Sequence, residues 1–399
     1  MHIFWWLLGG ILGAVWLDRM QDAARHMRRV ADITQPEWDR HPEPMPRVSI
    51  IVPACDEQEH VAAALASFVA QDYENLEIIT INDRSRDSTG KIMDRAALEG
   101  TANRPNLRFE VMHIHELPAG WLGKTHAMWQ AAQRATGDWI LFTDADVKLR
   151  ADALRRAIAY AEEVKADHLV LFPTHALETV GESMVIAGFQ MLFVFGHRPW
   201  KVSDPKARDS MGLGSFNLVR RSVYESVGTF RALRLEVVDD VQLGELVKAR
   251  GFAQHAVFGR GLLDLRWGHG GLGIVRNLTK NLFAVLHYRW PRALGACLLL
   301  LALNVLPFLG VWLAPGWSKA GFAAAVGAIA VLYVGMYRTS RISPGYVLLH
   351  PVNSIIIAYA LLRSMATTLW QGGVVWRGTK YGLVELRGGG SGQGVGSRE

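Results

Sequence analysis

The chain has 399 residues, a formal net charge of +6, 50% hydrophobic and 20% charged residues. That apolar content excludes a disordered chain, and two cysteines, Cys55 and Cys297, exclude a disulfide scaffold or a thiolate zinc cluster. The length fits two or three structural units; the positive charge suits an anionic surface, membrane or nucleic acid, and a positive mean hydropathy beside 14 Trp favours membrane.

Residues 3–17 are apolar but short. They lack a basic start and a clear cleavage site, so they read as an uncleaved anchor, set at 1–20, rather than a signal peptide. Arg19, Arg25, Arg28 and Arg29 follow, in a basic juxtamembrane linker spanning 21–45. The positive-inside rule puts that side in the cytoplasm.

From 46 to 290 the chain reads as one soluble domain. Residues 48–53 (VSIIVP) form a β-branched run, a buried strand. Residues 59–71 have helical spacing, 76–81 (LEIITI) predict a second strand and 107–113 a third. Residues 127–135 predict a helix and 139–143 (WILFT) a fourth strand. Strands alternating with helices predict a mostly parallel α/β sheet.

Residues 291–371 read as transmembrane. Runs 293–318 and 320–337 carry no charge, and each is long enough to span a bilayer. Run 342–362 is a third, interrupted by His350-Pro351, which read as a kink or a re-entrant turn. Three full crossings would leave Arg377, Lys380 and Arg387 outside, against the charge rule, so the number of crossings stays open. The tail is 372–399, and its Gly/Ser-rich end, 388–399, reads as disordered.

In open α/β sheets, ligands sit at the carboxyl ends of strands. Acids stand there after three strands: PACDE at 53–57, NDRSRDST at 82–89 and Asp144-Ala145-Asp146. Singly, each reads as a helix cap or a polar loop; together on one sheet edge they point to a site. No G-x-G-x-x-G follows the first strand and no G-x-x-x-x-G-K-[ST] occurs, which disfavours a dinucleotide oxidoreductase. Without a glycine-rich anion loop, a diphosphate would need a metal. Two carboxylates at i, i+2 suit Mg²⁺ or Mn²⁺.

VSIIVPACDEQE, INDRSRDST and FTDAD, in that order, resemble glycosyltransferase family 2, an inverting GT-A family that uses nucleotide-sugars. The resemblance covers about 46–290. LPAGWLGKTHA at 117–127 resembles the LPxGWxGK segment of membrane enzymes that glycosylate lipids such as carotenoids, hopanoids and ceramide-type acceptors. The implied fold is an α/β GT-A domain plus transmembrane helices.

The resemblance also implies roles. Pro53, Ala54 and Glu57 line the nucleotide base pocket, and Asp83 hydrogen-bonds the uracil. Asp144 faces the ribose or the metal, Asp146 binds the metal, and Lys124 lies near the donor. MGLGSFN at 211–217 resembles the acceptor loop, with Gly212, Gly214 and Ser215. EVVDDVQL at 236–243 resembles the family's E-D-x-x-L stretch, with Asp239 in the Glu place and Asp240 as general base. The pair equally suits a helix N-terminus. WRGTKY at 376–381 resembles a tail motif of related lipid glycosyltransferases; if it folds back near the site, it must be cytoplasmic.

One departure matters. LHYRW at 286–290 has Leu286 where processive polysaccharide synthases have the Gln of Q-x-x-R-W. This favours a single transfer and leaves Arg289 and Trp290 as an interfacial anchor. His269 reads as a loop histidine. The expectation is therefore an enzyme of the cytoplasmic membrane with its catalytic domain facing the cytoplasm. It moves one sugar from a nucleotide-sugar, UDP-linked, to a lipid acceptor with Mg²⁺ or Mn²⁺, and has no nucleic-acid partner. The alternatives are a processive polysaccharide synthase and a catalytically silent membrane scaffold.

Overall fold

A computed structural model describes residues 2–389. The end of the tail read as disordered lies, from residue 390, outside the described residues. Two compact units form. Of the described residues, one holds 31–176, 201–266 and 373–389; the other holds 2–30, Leu177–Trp200 and Trp267–Gly372. The 46–290 run is thus divided, with 177–200 and 267–290 grouped among the apolar helices.

The strands all lie in the first unit: β1 Val48–Ala54, β2 Leu76–Asp83, β3 Arg108–Ile114, β4 Trp139–Phe142, β5 Lys148–Leu149, β6 His168–Leu171, β7 Thr174–His175, β8 Asn217–Arg220, β9 Gln254–Val257, β10 Leu263–Leu265, β11 Gly373–Trp376 and β12 Thr379–Gly382. The main sheet has the order β3-β2-β1-β4-β8-β6-β9. β3, β2, β1 and β4 are parallel, whereas β8 runs antiparallel to β4 and β6, so the sheet is mixed.

Side chains alternate across this sheet. Val48, Ile50, Val52 and Ile78 face a core closed by Leu65 and Phe68 of the helix Val61–Val69. Ile51, Ile79, Ile81 and Phe142 face another, closed by Ala127, Met128 and Ala131 of the helix Gly123–Arg134. Burial on both faces explains why the strands read as unbroken apolar runs. Pro53 is tolerated because β1 pairs with β4 only over Val48–Ile51. At the amino end of β2, buried Glu77 accepts from Ser49, from the Thr136 and Gly137 amides, and from Arg47 and Arg108.

The second unit is helical. Its helices include His2–His26, Val180–Gly196, Gly270–Val285, Trp290–Asn304, Leu306–Leu313, Lys319–Ser340 and His350–Gln371. Four segments are long and apolar enough to cross a membrane: His2–Arg29, Val180–Lys201, Gly316–Tyr337 and Pro344–Gln371. The run 293–318 is not one straight span: Trp290–Asn304 and Leu306–Leu313 bend by 45°. Pro351 kinks nothing, since it sits in the first turn of His350–Gln371, where its missing N–H has no intrahelical role. Buried His350 meets the Tyr333 hydroxyl at 3.1 Å and Asn304 Oδ1 at 2.9 Å.

Small residues bring the first helix against Lys319–Ser340. A Cβ on Gly13 would fall 2.7 Å from the Gly321 carbonyl oxygen, and one on Gly321 2.4 Å from backbone atoms of Gly9. This is close glycine-mediated packing of the kind used between membrane helices.

Candidate active site

Strand order reverses between β1 and β4, which opens a crevice at their carboxyl ends. The loop after β4 carries Asp144 and Asp146. It is stitched to the 211–217 loop, which leads into β8: the Asp144 amide donates to the Gly214 carbonyl at 3.1 Å, and the Thr143 hydroxyl to the Ser215 carbonyl at 2.8 Å. Ser215 thus contributes backbone here.

Asp239 and Asp240 occupy the first turn of the helix Asp239–Ala249. The Gly214 amide donates to Asp240 Oδ2 at 2.7 Å. Glycine is required at both positions of the loop. A Cβ on Gly212 would lie 1.7 Å from the Asp240 carbonyl oxygen, and one on Gly214 2.7 Å from Asp144 Oδ2 and 3.4 Å from Asp240 Oδ2. Asp144 and Asp240 therefore flank Gly214.

Lys124, at the start of the helix Gly123–Arg134, is no solvated loop residue. Its Nζ lies 2.8 Å from Asp144 Oδ1 and 3.5 Å from Asp239 Oδ1. Burial opposes its charge, but Asp144, Asp239 and Asp240 outweigh that and raise its pKa. Burial also pushes Asp239 up to about 7, against the pull of Lys124. Asp240 is raised by burial as well, with Lys124 opposing.

Asp146 differs. Its Oδ1 is buried without a hydrogen-bond partner. Burial, then Asp144 and Glu57, push its carboxyl up to about 7. An unsatisfied buried carboxylate oxygen repelled by two further acids fits a hard divalent cation. Among the described residues no group of three or more His, Cys, Asp or Glu side chains forms a ligand set. Asp146 and Asp144 would hold such an ion only together with ligand oxygens.

Pro53 and Ala54 close β1 and are buried. Glu57 follows, its amide donating to Thr89 Oγ1 at 2.8 Å and its carboxylate paired with Arg377. Both Asp83 oxygens accept from Arg84, at 2.7 and 3.1 Å. Gly123 explains its place in the 117–127 segment, because a Cβ there would lie 2.2 Å from Asp83 Oδ2.

A buried polar network behind the acceptor loop has no signature in the sequence. His168 Nε2 faces Asn217 Oδ1, and Gln254 Nε2 donates to His168 Nδ1 at 2.8 Å. Gln254 Oε1 accepts from the Met211 amide at 2.8 Å, and Asn217 Nδ2 donates to the Asp240 carbonyl at 3.4 Å. This network holds both the loop and the helix bearing Asp240. Its members lie far apart in sequence and look like ordinary strand residues, so only the β6-β8-β9 pairing reveals them.

Residues 49–228 match the family model for glycosyl transferase family 2. The matched segment includes Asp83, Asp144, Asp146 and Gly214 and ends before Asp239. The chain is 23% identical over 344 residues to 4,4'-diaponeurosporenoate glycosyltransferase of Staphylococcus aureus strain USA300, covering 84% of this chain and 88% of that protein. Its fold is similar to that of a mannosyltransferase from Pyrobaculum calidifontis solved in complex with GDP-Man and Mn2+. The TM-score is 0.52, at 18% identity, over 92% of this chain and 99% of that one. The chain carries a family 2 glycosyltransferase domain of GT-A fold, and it is a glycosyltransferase.

Proposed function

We propose that the enzyme transfers a single hexosyl unit, with inversion, from a nucleotide-sugar to a hydroxyl or carboxyl of a lipid acceptor at a membrane. UDP-sugars are the first candidates. The observation that carries this reading is the Asp240 carboxylate, oriented by the Gly214 amide beside the Asp144–Asp146 loop. The 4,4'-diaponeurosporenoate enzyme supports a carotenoid-acid type of acceptor, and the four apolar segments support a membrane location.

On a hydroxyl acceptor, Asp240 takes the proton as the oxygen attacks the anomeric carbon and the bond to the diphosphate breaks, whereas an ionised carboxyl attacks with no proton to lose. The raised pKa of Asp240, from burial, makes it a better base than a solvated aspartate. Lys124 keeps Asp144 and Asp239 compatible with an anionic donor by setting a cation between them. Mg²⁺ or Mn²⁺ held by Asp146 and Asp144 would offset charge on the leaving diphosphate. Leu286 in the Gln place supports one transfer per acceptor; a product ladder would instead support a processive synthase.

The test is Asp240→Asn beside Asp146→Ala, assayed for transfer and for donor binding. Asp240→Asn is expected to keep donor binding and lose transfer. Asp146→Ala is expected to lose metal-dependent donor binding. Unchanged turnover in Asp240→Asn refutes the assignment.

A further inference from the structure

The turn joining β11 to β12 consists of Arg377 and Gly378, both at positive φ, 47° and 78°. Two-residue hairpin turns of this kind are built most cheaply from Asn-Gly or Asp-Gly. Gly378 conforms. Arg377 does not, since the left-handed conformation crowds its Cβ against the following carbonyl oxygen. A cation kept in a strained turn points to a use for its side chain.

That side chain contacts the loop after β1. Arg377 Nη1 donates to the Asp56 carbonyl at 3.4 Å, and Nη2 pairs with Glu57. β12 adds two contacts: Thr379 Oγ1 accepts from Arg84 Nη1 at 3.3 Å, and the Tyr381 hydroxyl accepts from the Gly123 amide at 3.3 Å. The hairpin closes a cavity of about 400 Å³ whose walls include Asp56, Arg84, Arg86, His115, Arg377 and Thr379. Asp56 and Arg84 also stand at positive φ, 54° and 57°. Strain gathers at this cavity from three separate segments.

The lining has three guanidiniums against one carboxylate. Guanidinium planes stack on flat rings and bind phosphate. The cavity lies past the carboxyl ends of β1, β2 and β3. Glu57, which Arg377 holds, is also close enough to repel Asp146. One arginine therefore links the cavity to the acid loop.

We propose that the C-terminal hairpin Gly373–Gly382 is the outer wall of the donor site and that Arg377 binds the nucleoside diphosphate portion of the donor. The proposal rests on the nucleotide-sugar reading above. Arg377 gives the tail motif a function: the turn adds a third guanidinium to the Arg84 and Arg86 that the β2 loop supplies.

The test uses the full chain in detergent, with UDP and GDP in the presence of Mn²⁺ as probes. Binding and donor kinetics are compared for wild type, Arg377→Ala and Arg377→Lys, and hydrogen exchange of 373–382 is followed in wild type. Arg377→Ala is expected to raise Kd and the donor KM about tenfold, with kcat and the acceptor KM little changed, and Arg377→Lys to recover part of the loss. Nucleotide is expected to slow exchange of the hairpin amides. If wild type binds nucleotide but neither the Arg377→Ala affinity nor hairpin exchange responds, the hairpin proposal is overturned and the nucleotide-sugar reading survives. If wild type binds neither probe, that reading falls and takes the hairpin proposal with it. Should Arg377→Ala fail to fold, wild-type hairpin exchange decides alone.

Discussion

Asp240 and Gly214 form the closest link between sequence and chemistry. Asp240→Asn keeps the shape and removes the base, so kcat should fall about a thousandfold, as measured by product formation at saturating donor. Gly214→Ala should also lose most transfer without unfolding, because its Cβ would crowd Asp144 Oδ2 at 2.7 Å; circular dichroism beside an activity assay checks this. His168 makes a pH-dependent prediction. Burial depresses its pKa to about 4, against roughly 6.5 for free imidazole. Between those values the unfolded chain binds more protons than the folded one, so stability falls as pH drops through that window, by up to about 1.4 kcal/mol per unit. Denaturation at pH 7 and pH 5 should show this loss, and His168→Gln should flatten the slope. Asp144, Asp146 and Asp240 were legible because each follows a recognisable strand or motif. Arg84 on Asp83, and the His168–Asn217–Gln254 network, were not: they depend on which strands pair, and local pattern carries no such information.

Elements were legible where one physical rule dominated. β1, β2, β3 and β4 were predicted within a residue or two; for β1, β2 and β4 burial on both faces leaves apolar runs with abrupt polar ends, while the edge strand β3 is only half-buried. The bent pair after Trp290 was not, since an uncharged run reports hydrophobicity and says nothing of direction. The helix Val180–Gly196 was also missed, its Glu182 and Glu178 masking an apolar stretch. The glycine contact between the first helix and Lys319–Ser340 gives an element-scale prediction. Gly321→Leu places side-chain atoms where Gly9 backbone stands. It should cost about 2 kcal/mol, read as a lower melting temperature of the purified protein, while Gly327→Leu, with open space around it, should cost little.

Chain connectivity constrains the whole molecule. Ala176 and Lys201 belong to the same unit, and one helix joins them. For a unit kept on one side of a bilayer, a chain that leaves and rejoins it crosses an even number of times, so the expected outcome is that Val180–Gly196 does not cross despite its length and hydropathy. The same parity applies between Arg266 and Gly373. With Gly316–Tyr337 and Pro344–Gln371 as two crossings, parity predicts that the bent pair is a re-entrant segment. That topology would put Arg377, Lys380 and Arg387 on the side of the catalytic domain, in accord with the charge rule. In a Cys55→Ser, Cys297→Ser background, Glu163→Cys, Lys206→Cys and Lys380→Cys should all react with an impermeant maleimide from the same face of the membrane; labelling of Lys206→Cys from the opposite face contradicts the topology.

The most direct measurement is release of nucleoside diphosphate by the purified, detergent-solubilised protein. It is offered a panel of UDP- and GDP-sugars, with Mg²⁺ or Mn²⁺ and a lipid extract, beside Asp240→Asn. The expected result is release with one donor that needs both metal and lipid, a lipid carrying one added sugar, and no release by Asp240→Asn although it still binds that donor. Equal release by Asp240→Asn, or no release with any donor and acceptor by protein that binds nucleotide, would contradict a lipid glycosyltransferase built on Asp240.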